Sequence, residues 1–317
     1  MAKVEIYHDN PLSIDLIEHT FKLAFNIPFD KEYWYWRFHN NPNSKKVYIS
    51  YIVEDGVLAA YYAVSPMRIL IDGQEQKVAL SNMTMTHPKY QGKGYFKKIA
   101  KSLYENLKKD NYIAIYGFAN HNSHYGFRKY LNWVDLSILS LFQVNPKIFR
   151  NINVIKNNSI LQIENITEEI LNQISNLEVT RENNIYIKRD RDNIKWRLKN
   201  NPINTYKVQV GRSNGKIISL LFFKTYKKDI DIIEFFYCGN SNKVELMIHS
   251  ISELIRITNS NINLWSNLYT NEHLSLEKQG FQETSFNTYF GVIPLIKNDL
   301  LLHYKNWHYR FIDSDIF

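Results

Sequence analysis

The sequence predicts an α/β (α+β) protein made of two tandem domains on one plan, each a mixed, mostly antiparallel sheet flanked by helices. Three observations predict it. A heptapeptide recurs, turn residues follow each copy at matching distances, and in each half the apolar period then switches from two to about 3.6 residues.

Residues 36–42 read WRFHNNP and residues 196–202 read WRLKNNP. In each copy a helix-like stretch leads in, Asn-Asn-Pro stops it, and alternating apolar residues follow. Gly56 lies 20 residues after Trp36 and Gly215 lies 19 after Trp196, so the spacing as well as the motif is repeated. Behind the first copy, 47–53, 57–64 and 77–85 alternate as strands, with turns at Asp55-Gly56 and Asp72-Gly73. Tyr95, Ile99, Leu103 and Leu107 then fall on one face of a helix ending near Lys109. A buried strand over 112–119, a short helix over 123–131 and a strand over 134–144 complete the plan. The second copy repeats it with strands near 205–212, 216–224 and 230–238, a helix near 243–257, a strand over 263–268, a helix over 271–279 and a strand near 284–291. The domains expected are 1–150 and 151–317, with the boundary near 145–160. The tail beyond 292, ending in WHYRFIDSDIF, has no counterpart in the repeat and is expected to pack back on the first half.

A chain of 317 residues with 44% hydrophobic content can fill two ordinary cores. No apolar run reaches the roughly 18 residues of a membrane span, and MAKVEIYHDN lacks the layout of a secretory signal, so a soluble, cytoplasmic protein is expected. The one cysteine, Cys238, has no disulfide partner and no metal-ligand neighbours, and reads as a structural thiol. Net charge is +8, which favours polyanionic ligands such as nucleic acid, CoA or nucleotide sugars. Compositional drift toward lysine explains that balance equally well.

The chemistry is concentrated in residues 86–96, THPKYQGKGYF, which join a strand to a helix. A helix start offers unpartnered N–H groups and the positive end of the dipole, and a phosphate can sit there if nothing blocks its approach. Gly92 and Gly94 leave the approach open, and Lys93 adds charge. The second copy has Gly239 to Lys243 at this place, a plain turn.

Gln91, Gly92, Lys93, Gly94 and Tyr95 resemble the Q/R-x-x-G-x-G/A pyrophosphate loop of the GNAT superfamily of N-acyltransferases, behind a proline as in that family. Phe96 departs from it, standing where Gly or Ala is usual. The family's strand followed by an Asn-led helix is matched in outline by residues 112–133, with Asn120, Asn122 and Phe127 in recognisable places and Asn132-Trp133 replacing Gly-Phe. The resemblance is strong over 77–135 and weak elsewhere.

It implies two GNAT-like domains, the first catalytic and the second degenerate, with acyl-CoA as co-substrate and no metal. Its donor would lie between splayed fourth and fifth strands, held by Met85, Thr86, Gln91, Gly92, Lys93, Gly94, Tyr95, Phe96, Asn122 and Phe127. A backbone N–H near Met85 or Thr86 would point at the thioester carbonyl. Relatives often place a glutamate on the fourth strand as base, but residues 80–87 hold no acid. Asn82, Thr84 and Thr86 alternate and could hold a relaying water, and His87 has a suitable ordinary pKa, although a loop residue bonding to backbone is the stronger reading for it. The family's tyrosine slot in the following helix holds Arg128, and Tyr125 and Tyr130 lie near it, where a core or surface role competes with a catalytic one.

Trp36, Arg37 and His39, with Tyr33 to Tyr35, precede the first meander, where relatives often build an acceptor wall. Trp36 and Arg37 recur in the second copy, which favours a structural role. His39 becomes Lys199 there, which leaves it with Asn82 and Asn120 as acceptor-site candidates. The loop, the Asn-led helix and a terminal Asp313-x-Asp315 resemble tandem GNAT proteins of bacterial surface-polysaccharide synthesis, implying a nucleotide-linked amino sugar as acceptor. An aminoglycoside or peptide amine is the alternative within enzymes. A non-catalytic nucleic-acid-binding module is the alternative outside them, and a nucleic-acid or membrane partner is not otherwise expected.

Overall fold

The computed structural model describes residues 3–150, 160–179, 184–239, 242–268 and 270–316, and its strands reverse where the turn residues stand. Asp55-Gly56, Asp72-Gly73 and Asn214-Gly215 each carry two successive positive φ values, from 48° to 81°, the conformation of a two-residue hairpin turn that matches strand twist.

In chain order the first half runs β1 (Glu5–Ile6), α1 (Ile14–Phe25), α2 (Lys31–Phe38), β2 (Tyr48–Glu54), β3 (Val57–Ile71), β4 (Gln74–Thr86), α3 (Tyr95–Lys109), β5 (Tyr112–Ala119), α4 (His121–Leu131) and β6 (Val134–Val144). The second runs β7 (Ile160–Asn165), α5 (Glu168–Gln173), β8 (Glu178–Val179), β9 (Ile185–Ile187), α6 (Arg191–Ile194), β10 (Lys207–Ser213), β11 (Lys216–Tyr226), β12 (Asp229–Tyr237), α7 (Lys243–Thr258), β13 (Ile262–Leu264), α8 (Asn271–Lys278), β14 (Gln282–Pro294) and β15 (Trp307–His308).

Two compact units divide the chain, Met1–Ile138 with Thr288–Tyr304, and Leu139–Asn287 with Lys305–Phe317. The sequence suggests continuous halves meeting near 145–160, a stretch that lies largely outside the described residues. The units instead trade their closing strands. Tyr289–Pro294 of β14 pairs antiparallel with Ala119–Ala114 of β5, while Phe142–Val144 of β6 pairs with Leu264–Ile262 of β13.

The repeated heptapeptide ends a helix in the same way twice. The N–H of Asn40 reaches the carbonyl of Tyr35 at 3.0 Å and that of Asn200 reaches Lys195 at 2.9 Å, each a five-residue closure. The second asparagine of each copy then folds the chain into the meander. Asn41 Oδ1 accepts the N–H of Asn43 at 2.9 Å, and Asn201 Oδ1 accepts those of Ile203 and Asn204 at 3.0 and 2.9 Å.

In the first unit Ile99, Leu103 and Leu107 of α3 pack with Tyr62, Phe127 and Trp133 on one sheet face. Trp34, Phe38, Tyr61 and Met85 fill the other, with Trp34 Nε1 donating to Tyr61 Oη at 2.9 Å. In the second unit Leu246, Ile251 and Leu254 of α7 cover Phe223, Ile232 and Phe235. The tail expected on the first half divides. Residues 288–304 join the first unit, but 305–317 belong to the second, where Asp313 is buried and takes Arg189 Nη2 at 2.7 Å. Arg189 Nε lies 2.6 Å from Glu234 and Arg310 Nη2 2.5 Å from Glu272, so this end of the chain closes a buried ionic cluster.

Candidate active site

β4 pairs with β3 along its length but with β5 only from Lys77↔Tyr112 to Leu80↔Tyr116. Beyond Leu80 the two parallel strands part, and among the described residues no strand pairs the β5-side edge of Ser81–Thr86. Packing sets the fork. A Cβ on Gly117 would lie 3.1 Å from Ser81 Cβ and 3.3 Å from the Trp133 ring, and one on its cross-strand partner Gly291 would lie 3.2 Å from that ring. The two glycines thus admit the indole, whose Nε1 donates to Tyr104 Oη at 2.9 Å.

Which amides face the fork follows from ladder phase. The N–H of His87 donates to the carbonyl of Ala59 at 3.0 Å, so Tyr61 and Met85 form a bonded pair while Ala60/Thr86 and Tyr62/Thr84 are non-bonded pairs. The N–H groups of Thr84 and Thr86 therefore point away from β3, and that of Met85 points into it. Of the two amides expected near the thioester, that of Met85 does not face the fork, and its side chain is buried on the α2 face. The expected alternation of Asn82, Thr84 and Thr86 is also interrupted. Asn82 and Met83 together face Ala63, a bulge that shifts the phase. Among the described residues Asn82 Nδ2 and Oδ1 and Thr84 Oγ1 are buried without a hydrogen-bond partner, a costly state for a polar group in a sheet. Ser81, which the sequence did not single out, shares a 2.9 Å hydrogen bond with Tyr62 Oη.

The loop that follows stays open. Gly92 and Gly94 carry φ of 79° and 74°, and a Cβ on either would meet nothing within 4 Å. Gly94 caps α3 with no side-chain hydrogen bond, and the first turn holds no acid. Gln91 and Lys93 are exposed. Lys93 Nζ lies 3.5 Å from Glu54 and 4.6 Å from the Tyr90 ring centroid, and Tyr95 Oη donates to Glu54 at 2.5 Å. That carboxylate pushes the Tyr95 phenol up to about 12, with burial second, and is itself held below the usual range by Tyr95 and then Lys93. Phe96 turns away from the amides. Its ring meets Phe127 edge-on at 5.6 Å and would touch a Cβ on Gly126 at 3.5 Å, so it walls α3 against α4.

Other candidates separate. His87 is buried, its Nδ1 accepts the Lys89 N–H at 3.2 Å, and burial, with His19 and Lys89, lowers its pKa; it shapes the loop. Asn120 Oδ1 caps α4, accepting the N–H groups of Asn122 and Ser123 at 3.0 Å each, and the Asn122 side chain is exposed beside it. Phe127 belongs to the core. Tyr125 is 58% exposed and bonds Lys129, which puts it on the outer face of α4. Trp36 and Arg37 are buried, with the guanidinium 4.9 Å from the Trp36 ring and Nη2 donating to Tyr33 Oη at 3.1 Å. His39 is exposed, 3.4 Å from Tyr7 Oη, and partial burial lowers its pKa.

The second unit repeats the fork and fills it. β12 pairs β13 only at Ile230↔Ile262 and Asp231↔Asn263, and pairing stops six residues before the strand end, as in β4. Ile233 bulges where Asn82 does, and Cys238 N–H donates to Ile218 O at 2.8 Å where His87 donates to Ala59. Here the edge at Phe236–Tyr237 is paired by the chain's own β8. Ser81, Asn82, Thr84 and Thr86 are replaced by Ile232, Ile233, Phe235 and Tyr237. α7 is capped by Asn242 Oδ1, with Glu245 in its first turn, so its amides are already served. Polar groups and open amides survive only where the fork is unpaired. Among the described residues no helix is long and apolar enough to cross a membrane, and no group of three His, Cys, Asp or Glu side chains could hold a metal.

Residues 13–133, which hold the fork and the loop, match the family model of the acetyltransferase (GNAT) domain. No curated protein matches the chain. Solved structures do. A probable N-acyltransferase from Enterococcus faecalis V583 is similar at 12% identity over 93% of this chain and 73% of its own, with a TM-score of 0.69. A tandem GNAT protein from the clavulanic acid biosynthesis pathway is similar at 10% identity over 94% and 100%, TM-score 0.59. The Saccharomyces cerevisiae N-myristoyltransferase solved with myristoyl-CoA and inhibitors is similar at 12% identity over 92% and 80%, TM-score 0.58. At such identities the likeness is one of fold, and it extends over both units to a protein that is itself a tandem GNAT.

Proposed function

We infer that this acyl-CoA-dependent N-acyltransferase, whose residues 13–133 match the acetyltransferase (GNAT) domain, acylates the amino group of a nucleotide-linked amino sugar. The observation that carries the donor half of this reading is a juxtaposition. Among the described residues, a β4 edge with no strand beside it leads through the loop 87–94 into a helix whose N-cap, Gly94, carries no capping side chain. An extended amide-bearing chain that ends in a diphosphate satisfies both at once.

Thr84 and Thr86 supply the N–H groups that stabilise negative charge on the thioester oxygen as the amine attacks, in place of Met85. The amides at the start of α3, with Gln91, Lys93 and Tyr95 around them, hold the diphosphate. Thr84, whose buried hydroxyl has no hydrogen-bond partner among the described residues, orients the acceptor nitrogen. The acceptor half rests on the charge of +8, suited to two polyanionic substrates, and on His39 and Tyr35 exposed beside buried Trp36 and Arg37.

Purified protein incubated with acyl-CoA and a panel of dTDP- and UDP-linked amino sugars tests it. Amide formation on a nucleotide-linked sugar is expected. Turnover confined to peptide or aminoglycoside amines overturns the acceptor, and failure to retain acyl-CoA overturns the donor.

A further inference from the structure

Around the end of β5, on the side where it pairs β14, a second group of side chains is assembled. His124 Nε2 lies 3.0 Å from Asp135 Oδ1, and Arg128 Nε lies 3.1 Å from Asp135 Oδ2. The His124 ring is stacked on Tyr289 with centroids 3.8 Å apart and planes 8° from parallel. Tyr289 Oη in turn shares a 3.1 Å hydrogen bond with His121 Nδ1. Tyr289 pairs with Ala119, and Thr288 Oγ1 donates to the Ala119 carbonyl at 3.0 Å, which ties the group to the last residue of β5. Asn120 caps α4 at the next position, so His121 and His124 stand in its opening turns.

This arrangement fixes a tautomer. A carboxylate at Nε2 holds the ring proton there, which leaves the lone pair on Nδ1. Among the described residues Nδ1 has no hydrogen-bond partner. Arg128, one turn along the same face, pairs with the other oxygen of Asp135, and the tyrosine ring holds the imidazole plane. The transfer needs such a group: the attacking amine must lose a proton, residues 80–87 contain no acid, and His87 spends its Nδ1 on the loop.

We propose that His124 accepts the proton of the acceptor amine, with Asp135 as its positioning residue. As the N–C bond forms and the C–S bond breaks, Nδ1 takes the proton from nitrogen, directly or through one water. The imidazolium then returns it to the thiolate, so that amide and free thiol leave and the neutral ring is restored. Arg128 and His121 on α4, Asp135 on β6 and Tyr289 on β14 are the ionisable groups facing the ring. This inference rests on the acyltransferase reading.

The test combines steady-state kinetics against pH with calorimetric binding of acyl-CoA, on the full chain. For His124→Gln, kcat is expected to fall by about 100-fold or more at unchanged acyl-CoA affinity, with a changed shape of the pH–rate profile. Asp135→Asn is expected to lower kcat and to alter the same pH–rate profile. Added imidazole should partly restore His124→Ala. Affinity retained with kcat within threefold and an unmoved pH profile in both variants overturns the proposal alone. No acyl-CoA binding by the unaltered protein overturns it together with the donor reading.

Discussion

Gly94 combines three properties that no other residue of the loop has together. It is left-handed at φ 74°, it caps α3 by backbone alone, and its missing side chain leaves the amides approachable. Gly94→Trp is therefore expected to weaken acyl-CoA binding by at least roughly 100-fold, about 2.7 kcal/mol. Folding should lose only about 1 kcal/mol, since the side chain enters open space and the backbone strain is the main cost. Calorimetry giving an unchanged affinity would refute the assignment of the loop. Much of this residue was legible, because Gly-x-Gly ahead of an amphipathic stretch states both the turn and the helix start. The roles of Met85 and Asn82 were not legible. Which N–H faces the fork depends on a register set from β3, and the bulge opposite Ala63 reverses an alternation that looks uninterrupted in one dimension.

Among the elements, β5 owes its divergence from β4 to a packed indole, and the glycine pair Gly117↔Gly291 is what lets the indole lie there. Gly117→Ala puts a methyl 3.1 Å from Ser81 Cβ, and overpacking of that kind costs about 1–3 kcal/mol. Urea unfolding that matched the unaltered protein would mean Trp133 moves aside freely. Glu168 gives α5 a pH response. Hydrogen bonds from Lys199 and Lys195 hold its carboxyl down to about 2, against 4.5 when free. A depressed value stabilises the fold above pH 4.5, and that contribution is lost as pH falls toward 2. Glu168→Gln should remove it, so thermal melts of the variant are expected to fall less steeply across that window than those of the unaltered chain. The long elements were readable from period and turn residues, whereas β8 was not, because two residues carry no periodicity and their pairing is decided by the edge they meet.

At the level of the whole chain, one duplicated plan has been put to two uses. The first fork keeps hydroxyl and amide side chains and an uncapped helix, while the second substitutes Ile232, Ile233, Phe235 and Tyr237, a self-capped helix and a strand of its own. Calorimetric titration with acyl-CoA is expected to give one site per chain, and two equivalent sites would contradict the distinction. The heptapeptide made the duplication visible. Neither the trading of β6 and β14 nor the fate of the tail could be read, since both are set by which unit offers a partner. For Asp313 that partner is Arg189.

β8 also serves as a gauge. Because the two forks share their bulge, their ladder phase and the length of their free edge, the segment seated in one is a template of what the other can admit. A β-strand neighbour takes about 4.8 Å of width and offers a polar group at every second backbone step. Molecules too broad, too branched or too poor in amides to imitate such a strand would be turned away from the first fork by shape, whatever their charge.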